Sequence, residues 1–446
     1  MIQRRCAMRL MTIKYPAWVC ALALVTVACS PQTVAPSASP ARATPTQIPP
    51  AGLSAAVPGT VTTARHWYTI ADGLAPELLT VRATFEGDPT AGAPFITVGG
   101  GPEIPLAQKA GAWSTSAPLD GLAPGPQTVT LYERLAGAPP VATRIAQTSF
   151  LLSQPEYVVW TLDFEGDASG DAELANTAAI ADGLKVPMSV FWNPRVWTTD
   201  QVSAERQAAM LAWTKGRQAK GDEVALHLHM WTDYVGAVGL VPRTAPSWAG
   251  RGDGYDVPIT AYPGNEQQAM IGYGVKLMLQ HGLPTPTSFR AGGDMGDAAT
   301  LRAVAASGFT ADCTAVARDA PPIGRIPYPW TLPAGAQPYR PSSTDANATG
   351  DLPLLEAPTI GGNTYAFTAQ SIQPQIRANL ALFAPAGAVA PERKAITVVS
   401  HPGTIGPAER AAVEALLGAF GPLRYDADAG PVRFVTLAQL ATAYGR

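Results

Sequence analysis

The most informative segment is Tyr157-Val158-Val159-Trp160-Thr161-Leu162-Asp163-Phe164-Glu165-Gly166-Asp167. Its first half is a continuous apolar run, which is typical of a strand buried on both faces. Three carboxylates, Asp163, Glu165 and Asp167, alternate out of the end of this run. Because side chains two residues apart on a strand share a face, these groups crowd together unless a cation or a shared proton relieves their repulsion. The motif therefore indicates either a metal-binding strand end or a polar turn that leads into a helix.

Downstream of residue 154, apolar runs alternate with Ala-rich helical segments over nearly three hundred residues. Such alternation favours a parallel α/β fold, and seven or eight runs favour closure into a (β/α) barrel. Asp297 is placed as the N-cap of one of the helices. The predicted strands are 157–164, 187–192, 223–228, 287–290, 309–315, 352–358, 395–400 and 432–437, and the predicted helices are 171–183, 203–220, 265–281 and 297–307.

Three further polar signatures end apolar runs: Leu226-His227-Leu228-His229, Phe289-Arg290-Ala291-Gly292-Gly293 and Val399-Ser400-His401-Pro402. In a parallel barrel, the strand ends meet at one rim, so these distant segments are expected to lie together. Combined with the first segment, they supply carboxylates, imidazoles and one guanidinium. A mononuclear metal hydrolase needs these groups.

Each signature also has a simpler interpretation. The chain has 5 His, and His227 and His229 could be hydrogen-bonded core residues instead of metal ligands. Arg290 could form a structural ion pair instead of holding a catalytic carboxylate. His401 could cap a turn instead of acting as a general acid.

Residues 51–154 have a different pattern, in which short β-branched or aromatic runs are separated by Gly, Pro and Asp. Short strands at regular spacing predict a small all-β sandwich, similar to immunoglobulin-like bacterial modules. A spacer or packing role is favoured for this module over sugar binding.

The N-terminus has the features of a targeting segment. Residues 1–28 combine a basic start with an apolar run too short to span a bilayer comfortably, which predicts a signal peptide. Small residues precede Cys29, as in the lipobox of bacterial lipoproteins, and an ordinary secretory signal with an incidental Cys is the alternative. Residues 29–50 would then be a lipidated Cys29 and a Pro/Ser/Thr-rich tether. The protein is expected to be extracytoplasmic, either lipid-anchored to the bacterial cell envelope or secreted.

Composition excludes one class of partner. The 446 residues carry a formal net charge of -3, and only 15% of them are charged. Because the chain has no basic footprint, nucleic acid is not expected to be a partner.

Taken in order, the four signatures resemble those of polysaccharide deacetylases, the NodB-like or carbohydrate esterase 4 superfamily. The resemblance covers residues 158–444 and implies a distorted (β/α)7-8 barrel over 155–446. It implies that Asp163 is the catalytic base, that Arg290 orients it and that His401 is the acid. It further implies a divalent metal, expected to be Zn, held by Glu165, His227 and His229. The implied substrate is an N- or O-acetylated polysaccharide or oligosaccharide, with a sugar cleft that is predicted to include Asp167, Trp192, Trp231, Trp330 and Tyr339.

The signatures depart from the family pattern in three ways. The usual motif has two adjacent aspartates, whereas here Phe164 separates Asp163 from Glu165. The paired histidines are two residues apart instead of four, and Gly292-Gly293 replaces a Pro-aromatic pair. Two other functions therefore stay open. A glycoside hydrolase could use Asp163 or Glu165 with Glu356, and a non-catalytic surface glycan-binding protein could act through its β module.

Overall fold

The computed structural model describes residues 56–445, apart from 71–72, 75–76, 90–93, 110, 136–140, 321–322 and 367–388. The predicted signal peptide, tether and lipidated Cys29 lie outside the described residues. Within the described part of the chain, no helix has both the length and the apolar character required to cross a membrane.

The first described region is the predicted β-sandwich, built from two sheets whose inner faces share one apolar core. A four-stranded sheet has the order β1-β3-β7-β6, and a five-stranded sheet has the order β2-β9-β8-β4-β5. The bounds are β1 Gly59–Thr63, β2 Trp67–Thr69, β3 Leu78–Phe85, β4 Phe95–Val98, β5 Ile104–Pro105, β6 Ala107–Lys109, β7 Ala112–Pro118, β8 Gly125–Leu135 and β9 Val141–Ser153.

The second region is a largely parallel, strongly curved sheet. Its central strand, β10, pairs in parallel with strands on both sides, as do its neighbours in turn. The bounds are β10 Glu156–Asp163, β11 Met188–Trp192, β12 Glu223–Leu228, β13 Ser288–Ala291, β14 Ala311–Asp312, β15 Leu355–Glu356, β16 Thr359–Asn363, β17 Lys394–Ser400 and β18 Val432–Phe434.

The sheet closes into a ring through β15 and β16, which only two residues separate. The amides of Leu355, Ala357 and Thr359 donate in succession to carbonyls along the β14 side, and Thr359 also pairs with Thr397 of β17. The ring order is therefore β10, β11, β12, β13, β14, β15 with β16, and β17, while β18 pairs with the start of β10. This ring confirms the predicted distorted (β/α)7-8 barrel, and the preceding sheets confirm the all-β sandwich.

Helices cover the outside of the barrel. Asp297 is the N-cap of α5 as predicted, because its Oδ1 accepts the Thr300 amide at 2.9 Å. The bounds are α1 Asp171–Leu184, α2 Ala204–Ala219, α3 Thr232–Val238, α4 Gly264–Gln280, α5 Ala298–Ala306, α6 Pro407–Gly418 and α7 Leu437–Tyr444.

Strand alternation divides the barrel into two cores. Along β10, Val158, Trp160 and Leu162 face the outer core that packs against the helices, whereas Tyr157 and Val159 face the interior. The interior core also includes residues of α7. The α7 amides of Leu437 and Ala438 bind the Ser189 hydroxyl and the Glu223 carboxylate, respectively, at the starts of β11 and β12. Helix α7 therefore closes the end of the barrel at which the strands begin, and the opposite end stays open.

The sandwich contacts the barrel on that closed side. The Asp428 carboxylate accepts the backbone amides of His66 and Trp67 at 2.8 Å, and Arg433 forms an ion pair with Glu77. Both regions belong to one compact unit, and the domain boundary at residue 154 stays a prediction. These contacts place the sandwich away from the open end of the barrel.

Candidate metal centre and active site

Four predicted residues meet at the open end of the barrel because each lies on the inward-facing side of its strand. Asp163 ends β10, His227 lies near the end of β12, Arg290 lies near the end of β13, and His401 follows β17. Each continues the inward-facing series of its strand, as Asp163 continues Tyr157 and Val159. In parallel strands, such positions converge at the carboxyl ends.

Three side chains form a group that could hold a metal ion. Ligand atoms of Glu165, His227 and His229 all lie within 4.8 Å of one another. Glu165 Oε2 is 2.6 Å from His229 Nε2 and 3.8 Å from His227 Nε2. Two imidazoles and one carboxylate form a common ligand set for a catalytic zinc ion, which leaves a further coordination position for substrate or water.

The orientation of both histidines fits metal binding. His227 Nδ1 lies 3.0 Å from the Arg290 carbonyl oxygen, and His229 Nδ1 lies 2.7 Å from the Tyr255 carbonyl oxygen. A carbonyl can only accept, so each Nδ1 carries the proton and each Nε2 keeps its lone pair for the cavity. His227 Nε2 is buried and has no hydrogen-bond partner. A buried polar atom without a partner is costly, and an ion beside Glu165 would satisfy it.

Charge at Glu165 supports the same interpretation. Burial raises the pKa of this carboxyl group, but the electrostatic effects of the neighbouring His229 and His401 imidazoles outweigh burial and hold it well below its usual range. Glu165 is therefore a carboxylate, which is the form that binds a cation.

Asp163 and Arg290 form a buried ion pair beside this group. Arg290 Nη1 donates to Asp163 Oδ1 at 2.8 Å and to the Thr161 hydroxyl at 2.8 Å. Its Nε donates to the Cys313 carbonyl at 2.9 Å. Burial lowers the pKa of Arg290, but the neighbouring Asp163 carboxylate raises it further, so the guanidinium stays charged.

His401 completes the group from the opposite side. Its Nε2 lies 2.8 Å from Glu165 Oε1, and its Nδ1 is buried without a partner. Burial lowers the pKa of His401, but the Glu165 carboxylate raises it above its ordinary value. A protonated imidazole in this place can donate a proton.

Tyr255 contacts two of the three possible ligands, although sequence reasoning did not identify it. Its ring stacks on the His229 ring with centroids 4.1 Å apart, and its hydroxyl donates to Glu165 Oε2 at 3.0 Å. Burial, followed by the Glu165 charge, raises the pKa of Tyr255, so the hydroxyl stays a donor. Tyr255 lies on the long segment between α3 and α4, which has no periodic pattern that would have predicted its position.

Gly292 and Gly293 allow two rings to approach the backbone closely. A Cβ atom on Gly292 would lie 2.5 Å from His229 Nδ1, and one on Gly293 would lie 2.6 Å from the Trp248 ring. Gly293 also has a positive φ of 67°. The departure from the Pro-aromatic pattern thus has a physical reason, because His229 and Trp248 occupy the space that larger residues would need.

These groups surround a cavity of about 140 Å³ at the open end. Sequence reasoning missed six of its residues, and four of them lie on loops that follow strands or helices without a regular pattern. The lining residues are Asp163, Glu165, His227, His229, Trp248, Tyr255, Gly293, Asp294, Ile323, Asn363, Tyr365 and His401.

The predicted aromatic sugar cleft requires correction, because Trp192, Trp231, Trp330 and Tyr339 do not line this cavity. Trp192 is fully buried in the outer core, where its ring lies tilted against that of Phe164 with the centroids 5.2 Å apart. The other three use their polar atoms internally: Trp231 donates to the Glu165 carbonyl, Trp330 to the Asp294 carbonyl and Tyr339 to the Ala346 carbonyl. They are packing residues, and of these only Trp231 and Trp330 contact the backbone of residues at the site.

Two further carboxylates also lie outside the cavity lining. Asp167 is exposed beside the site. Glu356 is completely buried and is the register partner of Asp312 across β14 and β15. Burial and then the neighbouring Asp312 raise the pKa of Glu356 well above its usual range. Glu356 therefore cannot reach a sugar in the cavity, and the geometry does not support its pairing with Asp163 or Glu165 in a glycoside hydrolase.

No protein-family model matches the chain, and no curated protein matches it either. Solved structures do match. One is an inferred polysaccharide deacetylase from Mycobacterium smegmatis, with 15% identity, a TM-score of 0.39 and coverage of 64% of this chain and 89% of that one. Another is a family 4 carbohydrate esterase from Streptomyces lividans in complex with acetate, with 11% identity, a TM-score of 0.31 and coverage of 60% and 89%.

A third match is a peptidoglycan deacetylase from Bacillus subtilis, with 11% identity, a TM-score of 0.32 and coverage of 65% and 91%. At these values, the similarity does not determine what this chain binds or cleaves. These three matching structures are described as two polysaccharide deacetylases and one family 4 carbohydrate esterase.

Proposed function

We propose that the protein is a metal-dependent hydrolase that removes acetyl groups from an N- or O-acetylated extracellular or cell-wall glycan. The observation that carries this proposal is the convergence of Glu165, His227 and His229 beside the Asp163–Arg290 pair and His401. The six side chains come from four separate segments of the chain, and a hydrolytic site of this kind would use all of them.

A divalent ion held by Glu165, His227 and His229, for which we propose zinc, would polarise the acyl carbonyl and make water more acidic. Asp163 is the general base that accepts the proton of the attacking water. Arg290 donates a hydrogen bond to Asp163 Oδ1 and orients this carboxylate. His401, whose pKa is raised, donates a proton to the leaving amine or alkoxide.

The cavity fits the size of the proposed reacting group. A volume of about 140 Å³ accommodates an acetyl group and part of the ring that bears it, while the remaining sugar units stay outside. Trp248, Tyr255 and Tyr365 supply aromatic surface around this opening, which suits the apolar faces of sugars.

The experiment is acetate release from acetylated glycans, measured with the protein as purified, after chelation and after readdition of zinc. Chelation and His229→Ala are each expected to abolish release, and zinc is expected to restore it only in the protein with His229. Acetate release that survives both treatments would reject the metal mechanism. Formation of new reducing ends without acetate would instead indicate a glycoside hydrolase.

We further propose that the mature protein is extracytoplasmic and anchored through lipidated Cys29. The supporting observations are the basic and apolar start of the chain and the tether composition that follows. A Cys29→Ser variant should move from the membrane fraction to the soluble extracytoplasmic fraction. Equal membrane association of both forms would contradict the anchor.

A further inference from the structure

Asp294 is a third carboxylate at the cavity, in addition to Asp163 and Glu165. It ends the short turn Gly292–Asp294 that follows β13. Its φ is +58°, an uncommon conformation for a residue other than glycine. The Trp330 indole donates to its carbonyl at 2.7 Å and holds the turn in place. The backbone thus fixes the Asp294 side chain at the cavity wall.

The other two carboxylates have strong partners, but Asp294 does not. Asp163 is paired with Arg290, and Glu165 contacts three histidines and Tyr255. Within the described residues, the Asp294 carboxylate has no hydrogen bond or ion pair. Burial raises the pKa of Asp294, the neighbouring Arg290 lowers it and Asp163 raises it, which together bring it to about 7. A carboxylate in such a place gains from any ligand that brings a hydrogen-bond donor.

We propose that Asp294 is a substrate-binding residue that accepts a hydrogen bond from the nitrogen of the acetamido group, so that the preferred substrate is an N-acetylated amino sugar. This inference rests on the proposed function and specifies its substrate class. The acyl group must reach the Glu165, His227 and His229 group, and Asp294 lines the same small cavity. In a cavity of about 140 Å³, the atom that joins the acetyl group to the sugar would lie within reach of the cavity wall that includes Asp294.

An amide and an ester differ at this joining atom. The amide nitrogen carries a hydrogen that can be donated to Asp294 before the reaction, and the product amine can bind as an ammonium ion. The ester oxygen carries no hydrogen and offers Asp294 nothing in the bound substrate. A site that is built around a hydrogen bond discriminates strongly against an analogue that lacks the donor.

The test compares the wild-type chain with Asp294→Gly and Asp294→Asn. Glycine removes the carboxylate and tolerates the positive φ, whereas alanine would add backbone strain. Asparagine also tolerates this conformation and keeps an acceptor oxygen without the charge. Asp319→Asn is the matched control, because Asp319 is exposed and does not line the cavity. Thermal unfolding establishes that each variant is folded.

The first readout is kcat/KM for acetate release from N-acetylglucosamine tetramer and from O-acetylated xylotetraose. Asp294→Gly should lower the N-acetyl value by roughly 10- to 100-fold and leave the O-acetyl value nearly unchanged. Asp294→Asn should lie between Asp294→Gly and wild type, and Asp319→Asn should match wild type. Equal losses on both substrates, or a wild-type preference for the ester, would overturn the inference while the proposed function stands.

The second readout is calorimetric binding of glucosamine tetramer and xylotetraose, which requires no turnover. The wild-type protein should bind the amino sugar more tightly, and Asp294→Gly should remove that difference. If the wild-type protein releases no acetate, the proposed function fails, and this binding comparison still tests Asp294. Identical binding of the two sugars by the wild-type protein would overturn the inference.

Discussion

The Nδ1 atom of His227 lies 3.0 Å from the carbonyl oxygen of Arg290, whose guanidinium group binds Asp163 at 2.8 Å. His227 and Arg290 are register partners on β12 and β13. One residue therefore orients a possible metal ligand through its backbone and the proposed base through its side chain. Arg290 therefore links the position of the possible metal ligand His227 to that of the proposed base Asp163.

Removal of either histidine should abolish stoichiometric metal binding. His227→Ala and His229→Ala each leave two of three ligands, so their zinc affinity should fall by more than the roughly 10- to 100-fold that loss of a supporting contact costs. Zinc content after dialysis, measured by mass spectrometry, checks this. His66→Gln is the control, because His66 lies in the sandwich. Full occupancy in either alanine variant would show that the site lies elsewhere.

Loss of the Tyr255 hydroxyl should weaken metal binding while the fold persists. Tyr255→Phe keeps the ring that stacks on His229 and removes only the hydrogen bond to Glu165. Supporting contacts of this kind change metal affinity by roughly 10- to 100-fold. A competition titration with a coloured chelator measures the difference. Unchanged affinity would mean that Tyr255 serves packing alone.

Gly292→Ala should displace His229. The added Cβ would lie 2.5 Å from His229 Nδ1, so the ring or the turn must move and zinc affinity should fall. Gly216→Ala is a matched control on the exposed face of α2, where nothing lies within 4 Å. This control should raise stability by about 1 kcal/mol and leave zinc affinity unchanged. Equal zinc affinities in wild type and Gly292→Ala would contradict the crowding argument.

The Arg195–Asp233 pair should make stability depend on acid. Arg195 is buried, donates to Asp233 at 2.8 Å and to the Gly166 carbonyl at 2.9 Å, and covers Trp231. Burial raises the pKa of Asp233, but hydrogen bonds from Arg195 and Thr199 and the Arg195 charge lower it below its ordinary value. Because the folded pKa is depressed, the pair stabilises the protein above the unfolded pKa of about 3.9. That contribution disappears as the pH falls through the folded value.

Asp233→Asn should therefore lower the free energy of unfolding by about 2 kcal/mol at pH 7. The difference from wild type should shrink as the pH is lowered below about 4. Denaturant unfolding at a series of pH values measures both effects. A difference that stays constant from pH 7 to pH 3 would rule out the ion pair as its source.

The alternation of inward- and outward-facing side chains along each strand explains why much of the site was predictable. Asp163, His227, His229, Arg290 and His401 each end a clear apolar run, and in a parallel barrel such ends converge. Their relative placement follows from the period of two along each strand. The same pattern predicted the barrel itself, although β14 and β15 are only two residues long.

Loop residues and buried aromatics were not predictable in this way. Tyr255 and Trp248 lie on a segment without periodicity, and tertiary contacts alone bring them to His229. Asp294 follows two glycines, and no spacing rule gives the direction of its side chain. Trp192 was predicted to line the sugar cleft because a tryptophan at the end of a strand is a common sugar-binding residue. In the structure, the Trp192 side chain points outward from β11 and is buried in the outer core.

The most direct test is anomalous X-ray diffraction from crystals of the protein grown with zinc. We predict one strong anomalous peak at the open end of the barrel, about 2.0–2.2 Å from Nε2 of His227, Nε2 of His229 and one oxygen of Glu165. Absence of a peak there, or a peak bound by other residues, would contradict the metal centre and the hydrolytic function proposed from it.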